Sequence, residues 1–142
     1  MTTKRPAVLF VCVKNGGKSQ MAATLMRHHA GDAVEVHSAG TRPGGSINAQ
    51  SAEAIAEVGA DMSSAVPRPV TPESLRGVDQ VIVIGGEAVI ETVEGMTAPV
   101  TTWHTDEPSK RGIDGMERMR LVRDDIDAHV RALLADLTQA PN

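Results

Sequence analysis

The sequence predicts an α/β domain, spanning residues 1–142, with four parallel strands in one sheet and helices on both faces. Short apolar runs alternate along the chain with stretches of helical periodicity, which is the pattern of repeated strand–helix units. The runs are continuously apolar rather than alternating, as in parallel strands covered on both sides. A chain of 142 residues is also long enough to bury one sizeable core.

The first strand is predicted at Val8–Val11, a run of four apolar residues that ends one position before Cys12. A helix follows, with Ser19 as the expected N-cap and apolar residues at helical spacing up to about Ala30. The one cysteine of the chain therefore lies where a strand passes into a helix. Ligands of such sheets bind at this kind of junction, outside the carboxyl ends of the strands.

Three further strands are predicted, at Val34–His37, Val78–Ile84 and Val100–Trp103. The third is almost entirely apolar and is therefore expected in the centre of the sheet. Because the strands are parallel, the loops that follow Cys12 and Trp103 leave the same edge of the sheet and can meet.

Four more helices are predicted after the first. Asn48 can cap one that Gly59 ends, and Thr71-Pro72-Glu73 begins a short one that ends near Gly77. The third is a modest helix over residues 87–94, and the last runs from a capping box at Asp114 to about Leu137. The charged residues of the last helix are predicted to form a solvated face: Asp124, Asp125, Asp127 and Arg131.

Composition excludes several classes of function. The net charge of −4 gives no electrostatic footprint for nucleic acid or for an anionic membrane surface, and no apolar run has transmembrane length. A single cysteine excludes an internal disulfide, so a reducing cytoplasm is the expected setting. Metal-binding motifs are absent from the sequence, and no bound metal is expected.

The segment from Cys12 to Ser19 carries the strongest functional signal. Successive backbone N–H groups of a glycine-containing loop can form a nest for an anion, and the helix N-terminus adds positive potential. The same environment stabilises a thiolate, so the segment predicts a nucleophile beside an oxyanion. An inert buried cysteine is one alternative. A nucleotide-binding loop is another, although Cys12 stands where that motif needs its first glycine.

The loop that follows Trp103 contains the second candidate site residue, Asp106. Chemistry at a thiolate-bound oxyanion releases an oxygen, which needs a proton donor, and a carboxylic acid at the strand ends could supply it. The local sequence alone fits an Asx turn before Pro108 at least as well. His104 in the same loop is expected to be a bystander.

Cys12, five further residues and then Ser19, preceded by the basic Lys18, resemble the C-x5-R-[ST] loop of the low-molecular-weight protein tyrosine phosphatases and of the arsenate reductases built on their fold. The family has arginine at the position of Lys18. Two further segments extend the resemblance over nearly the whole chain. They are the Ser38-Ala39-Gly40 turn and the sequence Trp-x-x-Asp-Glu-Pro at Trp103–Pro108, similar to the Trp-x-x-Asp-Asp-Pro of the reductases.

The resemblance implies a role for each residue. Cys12 is the nucleophile, Lys18 the cation, Ser19 a donor to the sulfur, and Asp106 the general acid with Glu107 as the second candidate. Asn15 is expected to keep the loop in shape. The oxyanion is expected to bind the backbone N–H groups of Val13, Lys14, Asn15, Gly16, Gly17, Lys18 and Ser19.

The substrate that these features favour is arsenate. Lysine is a point charge, without the planar fork by which arginine binds two oxygens of a phosphoryl group, and the chain has no tyrosine to sandwich a phenol ring. Reduction of arsenate needs two electrons, normally from two thiols, and Cys12 is the only one here. The Asn-Gly-Gly-Lys-Ser-Gln-Met-Ala signature is similar to that of reductases that use mycothiol. Mycothiol, or another low-molecular-weight thiol, is therefore the expected co-substrate, without a bound cofactor.

The resemblance also implies a mycoredoxin or glutaredoxin-like protein as the reductant, and it is compatible with a monomer or a homodimer. Two other functions stay open on the sequence. One is a low-molecular-weight phosphatase that acts on phosphate esters. The other is a non-enzymatic module that binds an oxyanion or a protein on the same scaffold.

Overall fold

The computed structural model describes residues 5–138, so the two ends of the predicted domain, residues 1–4 and 139–142, lie outside the described residues. In chain order, the elements are β1 (Ala7–Cys12), α1 (Lys18–Ala30), β2 (Glu35–Gly40), α2 (Ala49–Ala56), α3 (Pro72–Arg76), β3 (Gln80–Ile84), β4 (Val100–Trp103) and α4 (Gly115–Thr138), with short 3₁₀ turns at Gly31–Ala33 and Pro108–Arg111. Helices lie between successive strands as the sequence predicts, except between β3 and β4.

The four strands form one parallel sheet in the order β2-β1-β3-β4. This arrangement confirms the predicted fold class and the central place of β3. Strand β2 runs three residues further than predicted, because Ser38–Gly40 continues the ladder and Gly40 pairs with Cys12. The carboxyl end of β1 is thus held from one side at the point where the Cys12 loop leaves the sheet.

Alternate residues of β1 face the two sides of the sheet, and both sides are covered by helices. Val8 and Phe10 belong to the larger core, with apolar residues of α1, α2 and α4. Leu9 and Val11 belong to a smaller core on the opposite face, where Leu75 of α3 packs. All residues of β1 are buried, which explains the continuous apolar run.

The helix predicted over residues 87–94 is wrong, because no helix is present between β3 and β4. Gly85 and Gly95 have left-handed backbone angles, with φ of 90° and 85°, and the segment between them is rich in β-branched residues, which have low helix propensity. Its apolar side chains cover the smaller core without helical structure. They are Ala88, Ile90 and Val93, and Met96 just beyond the segment joins them.

The prediction that Asp124, Asp125, Asp127 and Arg131 form a solvated face of α4 is only partly correct. Asp127 lies 2.7 Å from His29 Nε2 of α1 and 2.9 Å from the Nε of Arg131, so it joins two helices. Asp125 is also partly buried and accepts a hydrogen bond from the loop after β4. Within residues 5–138, no helix combines the length and the apolar character that crossing a membrane requires.

Candidate active site

The loop after β1 is held in place by the segment that follows β2. Four backbone N–H groups of this segment donate to carbonyl groups of the loop, which fixes the outward direction of those carbonyls. The pairs, with the carbonyl first, are Cys12–Thr41, Val13–Arg42, Lys14–Gly44 and Gly16–Asn48, at N···O distances of 3.1, 2.8, 2.9 and 2.7 Å.

These outward carbonyls determine where the N–H groups of the loop point. In a trans peptide the carbonyl of one residue and the N–H of the next lie on opposite sides, and the described chain has no cis peptide. The N–H groups of Val13, Lys14, Asn15 and Gly17 are therefore directed to the inside of the loop. That of Asn15 donates to Cys12 Sγ at 3.2 Å. A concave set of donors around a sulfur is suited to bind an oxyanion.

Asn15 is the centre of the network that shapes the loop. It is fully buried and has a left-handed backbone with φ of 54°, a conformation that asparagine tolerates better than most residues. Its Oδ1 accepts from the backbone N–H of Arg68 at 2.9 Å and from Gln20 Nε2 at 3.1 Å. Its Nδ2 donates to Ser19 Oγ at 2.7 Å.

This network sets the direction of the Ser19 hydroxyl. Ser19 Oγ accepts from Asn15 and lies 2.9 Å from Cys12 Sγ, so its own hydrogen is available for the sulfur. The expectation that Ser19 caps α1 is wrong. The helix begins one residue earlier, with Gly17 at the N-cap position and no side-chain cap, because the Ser19 hydroxyl is engaged by Cys12 and Asn15.

Gly40 allows the Cys12 loop to pack against the end of β2. A Cβ at this position would lie 2.6 Å from the backbone oxygen of Val13 and 3.0 Å from the Cβ of Asn15. Gly16 is similarly close to the loop after β2, since its Cβ would lie 3.0 Å from the oxygen of Ser46. Ser38-Ala39-Gly40, which the sequence predicts as a turn, thus continues strand β2 and ends in a glycine that leaves room for the loop.

Lys18 is not free in this structure. Its Nζ donates to Thr105 Oγ1 at 2.9 Å, which joins the start of α1 to the loop after β4. The two loops predicted to share the edge of the sheet are therefore in direct contact. Lys18 and Ser19 open α1, so their backbone N–H groups have no acceptor four residues earlier in the helix.

Asp106 lies in the loop after β4 and is held on two sides. Its carboxylate accepts two hydrogen bonds from Arg111, at 2.7 and 3.1 Å, and its backbone N–H donates to Asp125 Oδ2 of α4 at 2.8 Å. The Arg111 guanidinium holds the pKa of the Asp106 carboxyl below its usual value. In this geometry Asp106 is a carboxylate at neutral pH, which is the form that accepts a proton.

Glu107 and His104, the other polar groups of this loop, are exposed. Glu107 forms an ion pair with Lys110, which lowers the pKa of the Glu107 carboxyl, and the charge of Lys18 adds a smaller effect in the same direction. The side chains of Lys18 and Asp106 bond to Thr105 and Arg111 rather than to His104 in the described part of the chain.

A cleft of about 820 Å³ separates the Cys12 loop from the loop after β4, and residues of both loops line it. Arg42 from the loop after β2 and Arg118 from α4 line it as well, and neither guanidinium forms a salt bridge within residues 5–138. Cys12 itself is 9% exposed and does not line the cleft. The site residues that line the cleft are Lys14, Gly16, Gly17, Lys18, Asp106 and Glu107.

The sequence prediction missed the groups that hold the site residues. Thr105, Arg111 and Asp125 position Lys18 and Asp106, while Gln20 and the Arg68 backbone position Asn15. A possible signal for Arg111 was its place five residues after Asp106, but nothing in the sequence links Arg68 to Asn15. Among the described residues, no group of His, Cys, Asp and Glu side chains could hold a metal ion.

The chain matches known proteins over nearly its whole length. Residues 7–141 match the family described as low molecular weight phosphotyrosine protein phosphatase. A putative arsenate reductase of Halobacterium salinarum is 32% identical over 126 residues, which are 85% of each chain. The structure is similar to the thioredoxin-dependent arsenate reductase of Corynebacterium glutamicum, with a TM-score of 0.77 and 32% identity.

That match covers 96% of this chain and 64% of the Corynebacterium chain. A tyrosine phosphatase of Erwinia amylovora is similar in fold, with a TM-score of 0.76 and 17% identity, covering 96% of each chain. The Cys12 loop, the Ser38-Ala39-Gly40 end of β2 and the four-stranded parallel sheet all lie within the matched residues 7–141. The chain belongs to the low molecular weight phosphotyrosine protein phosphatase family.

Proposed function

We propose that this protein is an arsenate reductase that uses Cys12 and an external thiol. The observation that carries the proposal is the environment of the Cys12 sulfur. The sulfur accepts a hydrogen bond from the Asn15 N–H and lies beside the Ser19 hydroxyl, inside a loop whose N–H groups point inward. Such donors stabilise a thiolate and bind a tetrahedral oxyanion at the same place. The arsenate reductases among the relatives support arsenate as the oxyanion.

In the first step, the Cys12 thiolate attacks the arsenic atom of bound arsenate and a sulfur–arsenic bond forms. One oxygen leaves as water after it takes up a proton, and backbone N–H groups of the segment from Val13 to Ser19 bind the remaining oxygens. Lys18 contributes a positive charge beside them. Arsenic remains in the +5 state, because this step exchanges an oxygen ligand for a sulfur ligand.

In the second step, the external thiol displaces Cys12 from arsenic and its proton passes to Asp106. The thiol–arsenate adduct leaves, and the Cys12 thiolate is regenerated. Asp106 gives a proton to the departing oxygen of the first step and recovers one here. The contact with Arg111 favours the carboxylate that the second step needs, and Asp106 has to leave Arg111 to act as the acid of the first step.

Reduction takes place when a second thiol attacks the sulfur of the adduct. A disulfide forms, the sulfur–arsenic bond breaks, and its electron pair remains on arsenic, which becomes arsenite. This step needs no further cysteine in the chain. Cys12 is the only cysteine in the sequence, so both thiols come from outside.

In this proposal mycothiol is the external thiol that displaces Cys12. A mycoredoxin or glutaredoxin-like protein supplies the second thiol, which attacks the adduct. The cleft of about 820 Å³ has the size of sites that bind small organic molecules. It offers donors at Arg42 and Arg118 and acceptors at Asp106 and Glu107, which suits a thiol rich in hydroxyl groups. The relative from Corynebacterium glutamicum is named for thioredoxin, so thioredoxin is the alternative to be tested.

The test is arsenate-dependent NADPH consumption in two coupled systems. One contains mycothiol, mycoredoxin and the matching reductase, and the other contains thioredoxin and its reductase. We expect turnover only with mycothiol. Turnover only with thioredoxin would show that the thiol assignment is wrong while reduction of arsenate is right. Absence of turnover in both systems would overturn the function.

Cys12→Ser is the matched control for the nucleophile, because it changes one atom of the side chain in an unchanged loop. It should abolish turnover. If Cys12→Ser kept full activity with mycothiol, the external thiol would attack arsenate directly and Cys12 would not be the nucleophile.

A phosphatase is the second candidate, because a cradle for arsenate also binds phosphate and a tyrosine phosphatase shares the fold. Lys18→Arg restores the fork that binds two phosphoryl oxygens. If the protein is a phosphatase, this variant should hydrolyse p-nitrophenyl phosphate faster than the wild type. If it is an arsenate reductase, both proteins should hydrolyse this ester slowly.

The same proposal includes one domain over residues 1–142 and a cytoplasmic location, where thiol reductants are present. A non-enzymatic binding module on this scaffold would bind phosphate or arsenate without turnover. It would leave the reaction of Cys12 with iodoacetamide as slow as that of a free cysteine at the same pH.

A further inference from the structure

A second pocket, of about 270 Å³, lies beside the Asn15 network and is lined by two arginines. Arg27 comes from α1 and Arg68 from the segment before α3. Neither guanidinium forms a salt bridge within the described part of the chain. Burial lowers the pKa of Arg27, and the nearby charge of Arg68 lowers it further. Two like charges that face one pocket without a counter-charge are favourable for an anion.

The other groups that line this pocket are also suited to an anion. Ser38 and Ser64 bring hydroxyl groups, the buried amide of Gln20 reaches its wall, and no carboxylate lines it. His37 lies at its edge, but its ring is paired with Glu35, at 2.9 Å, which compensates any charge on the imidazole. The two guanidinium groups therefore provide its positive charge.

We propose that this Arg27–Arg68 pocket binds a small oxyanion such as phosphate, at a site separate from the Cys12 loop. Arginine guanidinium groups bind tetrahedral oxyanions through pairs of parallel N–H groups. The volume of the pocket leaves room for a substituent on the anion, so a phosphate monoester also belongs to this class. The proposal does not depend on the reaction at Cys12.

The position of the pocket links it to the active site. The Arg68 backbone N–H and the Gln20 side chain both donate to Asn15 Oδ1, and Asn15 in turn holds Ser19 beside Cys12. An anion bound to the Arg68 side chain would fix the same residue whose backbone holds the loop. The pocket is thus placed to stabilise the conformation of the Cys12 loop.

The test is a titration with inorganic phosphate, followed by NMR of the ¹⁵N-labelled protein. The Gly17 amide reports binding in the Cys12 loop, while the Ser64 and Ala65 amides report binding in the second pocket. We expect two saturations with separate midpoints in the wild type. Arg68→Gln should raise the midpoint of the second pocket about tenfold, as expected when a charged partner is lost. The midpoint seen at Gly17 should change much less, because Arg68→Gln keeps the backbone N–H that holds Asn15.

Arg131→Gln is the control, because it removes one exposed arginine on α4 far from the pocket in sequence and outside its lining. It should leave both midpoints unchanged. Arg27→Lys is the second variant, since it retains a donor for the Val36 carbonyl that Arg27 contacts at 2.9 Å. The proposal is overturned if the Ser64 and Ala65 amides do not respond to phosphate, or if Arg68→Gln leaves their midpoint in place.

Discussion

The Arg111 guanidinium binds both carboxylate oxygens of Asp106, at 2.7 and 3.1 Å. This pair keeps Asp106 charged and fixes its side chain at the edge of the cleft. Arg111→Gln should therefore raise the pKa of Asp106 towards the ordinary aspartate value of 3.8. The carboxylate form is lost as pH falls through this pKa. The variant should therefore become protonated at Asp106 at a higher pH than the wild type.

Carboxyl-carbon NMR titration of Asp106 measures this shift directly. Lys110→Gln is the control, because it removes a cation of the same 3₁₀ turn that pairs with Glu107 rather than with Asp106. An unchanged Asp106 titration in Arg111→Gln would show that the ion pair does not persist in solution.

Lys18 and Thr105 couple the two loops of the site. Thr105→Val removes the acceptor of the Lys18 ammonium and keeps the shape of the side chain. We expect the KM for arsenate to rise about three- to tenfold, since one hydrogen bond that orients the charge is lost. Steady-state kinetics measure the change. Thr102→Val, on the exposed side of β4, should leave KM unchanged, and an equal rise there would refute the specific role of Thr105.

Gly40 is required by the close approach of the Cys12 loop. Gly40→Ala should reduce the free energy of unfolding by about 1–3 kcal/mol, because its Cβ would lie 2.6 Å from the Val13 oxygen. Urea unfolding measures this loss. Gly45→Ala is the matched control, since a Cβ there meets no atom within 4 Å. Equal stabilities of the two variants would contradict the packing described here.

Asn15 contributes both a backbone conformation and a side-chain network. Asn15→Gly keeps the left-handed φ of 54° available but removes the bonds to Ser19 and Gln20. Asn15→Ala loses both, so it should be less stable than Asn15→Gly by about 1–2 kcal/mol. Both variants should slow the reaction of Cys12 with iodoacetamide. A normal rate in Asn15→Gly would show that the side chain is not needed to activate the thiol.

Glu57, at the end of α2, forms ion pairs with Arg120 and Arg123 of α4, and these pairs should make stability depend on pH. Hydrogen bonds from Arg120 and Arg123 lower the pKa of Glu57 from 4.5 to about 2. The stabilising effect is present above pH 4.5 and is lost as pH falls towards 2. Glu57→Gln should flatten the stability profile in that window, measured by urea unfolding, whereas Glu53→Gln on the same helix should not.

The strand–loop–helix unit at Cys12 could be predicted because its signals are local. An apolar run, a glycine pair and a helical repeat follow one another within some twenty residues. The helix over residues 87–94 was predicted wrongly because its acidic ends and apolar centre satisfy a helical pattern, while the smaller core accepts the same side chains from irregular backbone.

The candidate site was predictable only in part, for a related reason. Cys12 and Asp106 stand in recognisable loops, but the residues that hold them come from distant parts of the chain. Asp125 lies on a helix face that looks solvated, and the Arg68 contribution is a backbone N–H, which no side-chain pattern reveals. Ser19 has the composition of an N-cap, yet a buried sulfur competes for its hydroxyl.

The hydrogen bonds that hold the carbonyls of the Cys12 loop have a consequence for engineering. Backbone groups of the segment after β2 and the Asn15 side chain shape the loop, so the side chains of Val13 and Lys14 are not needed to form the anion cradle. These two positions could be randomised in a library while Gly40 and Asn48 stay fixed. Such a library would vary which molecules enter the cleft and leave the recognition of the oxyanion intact.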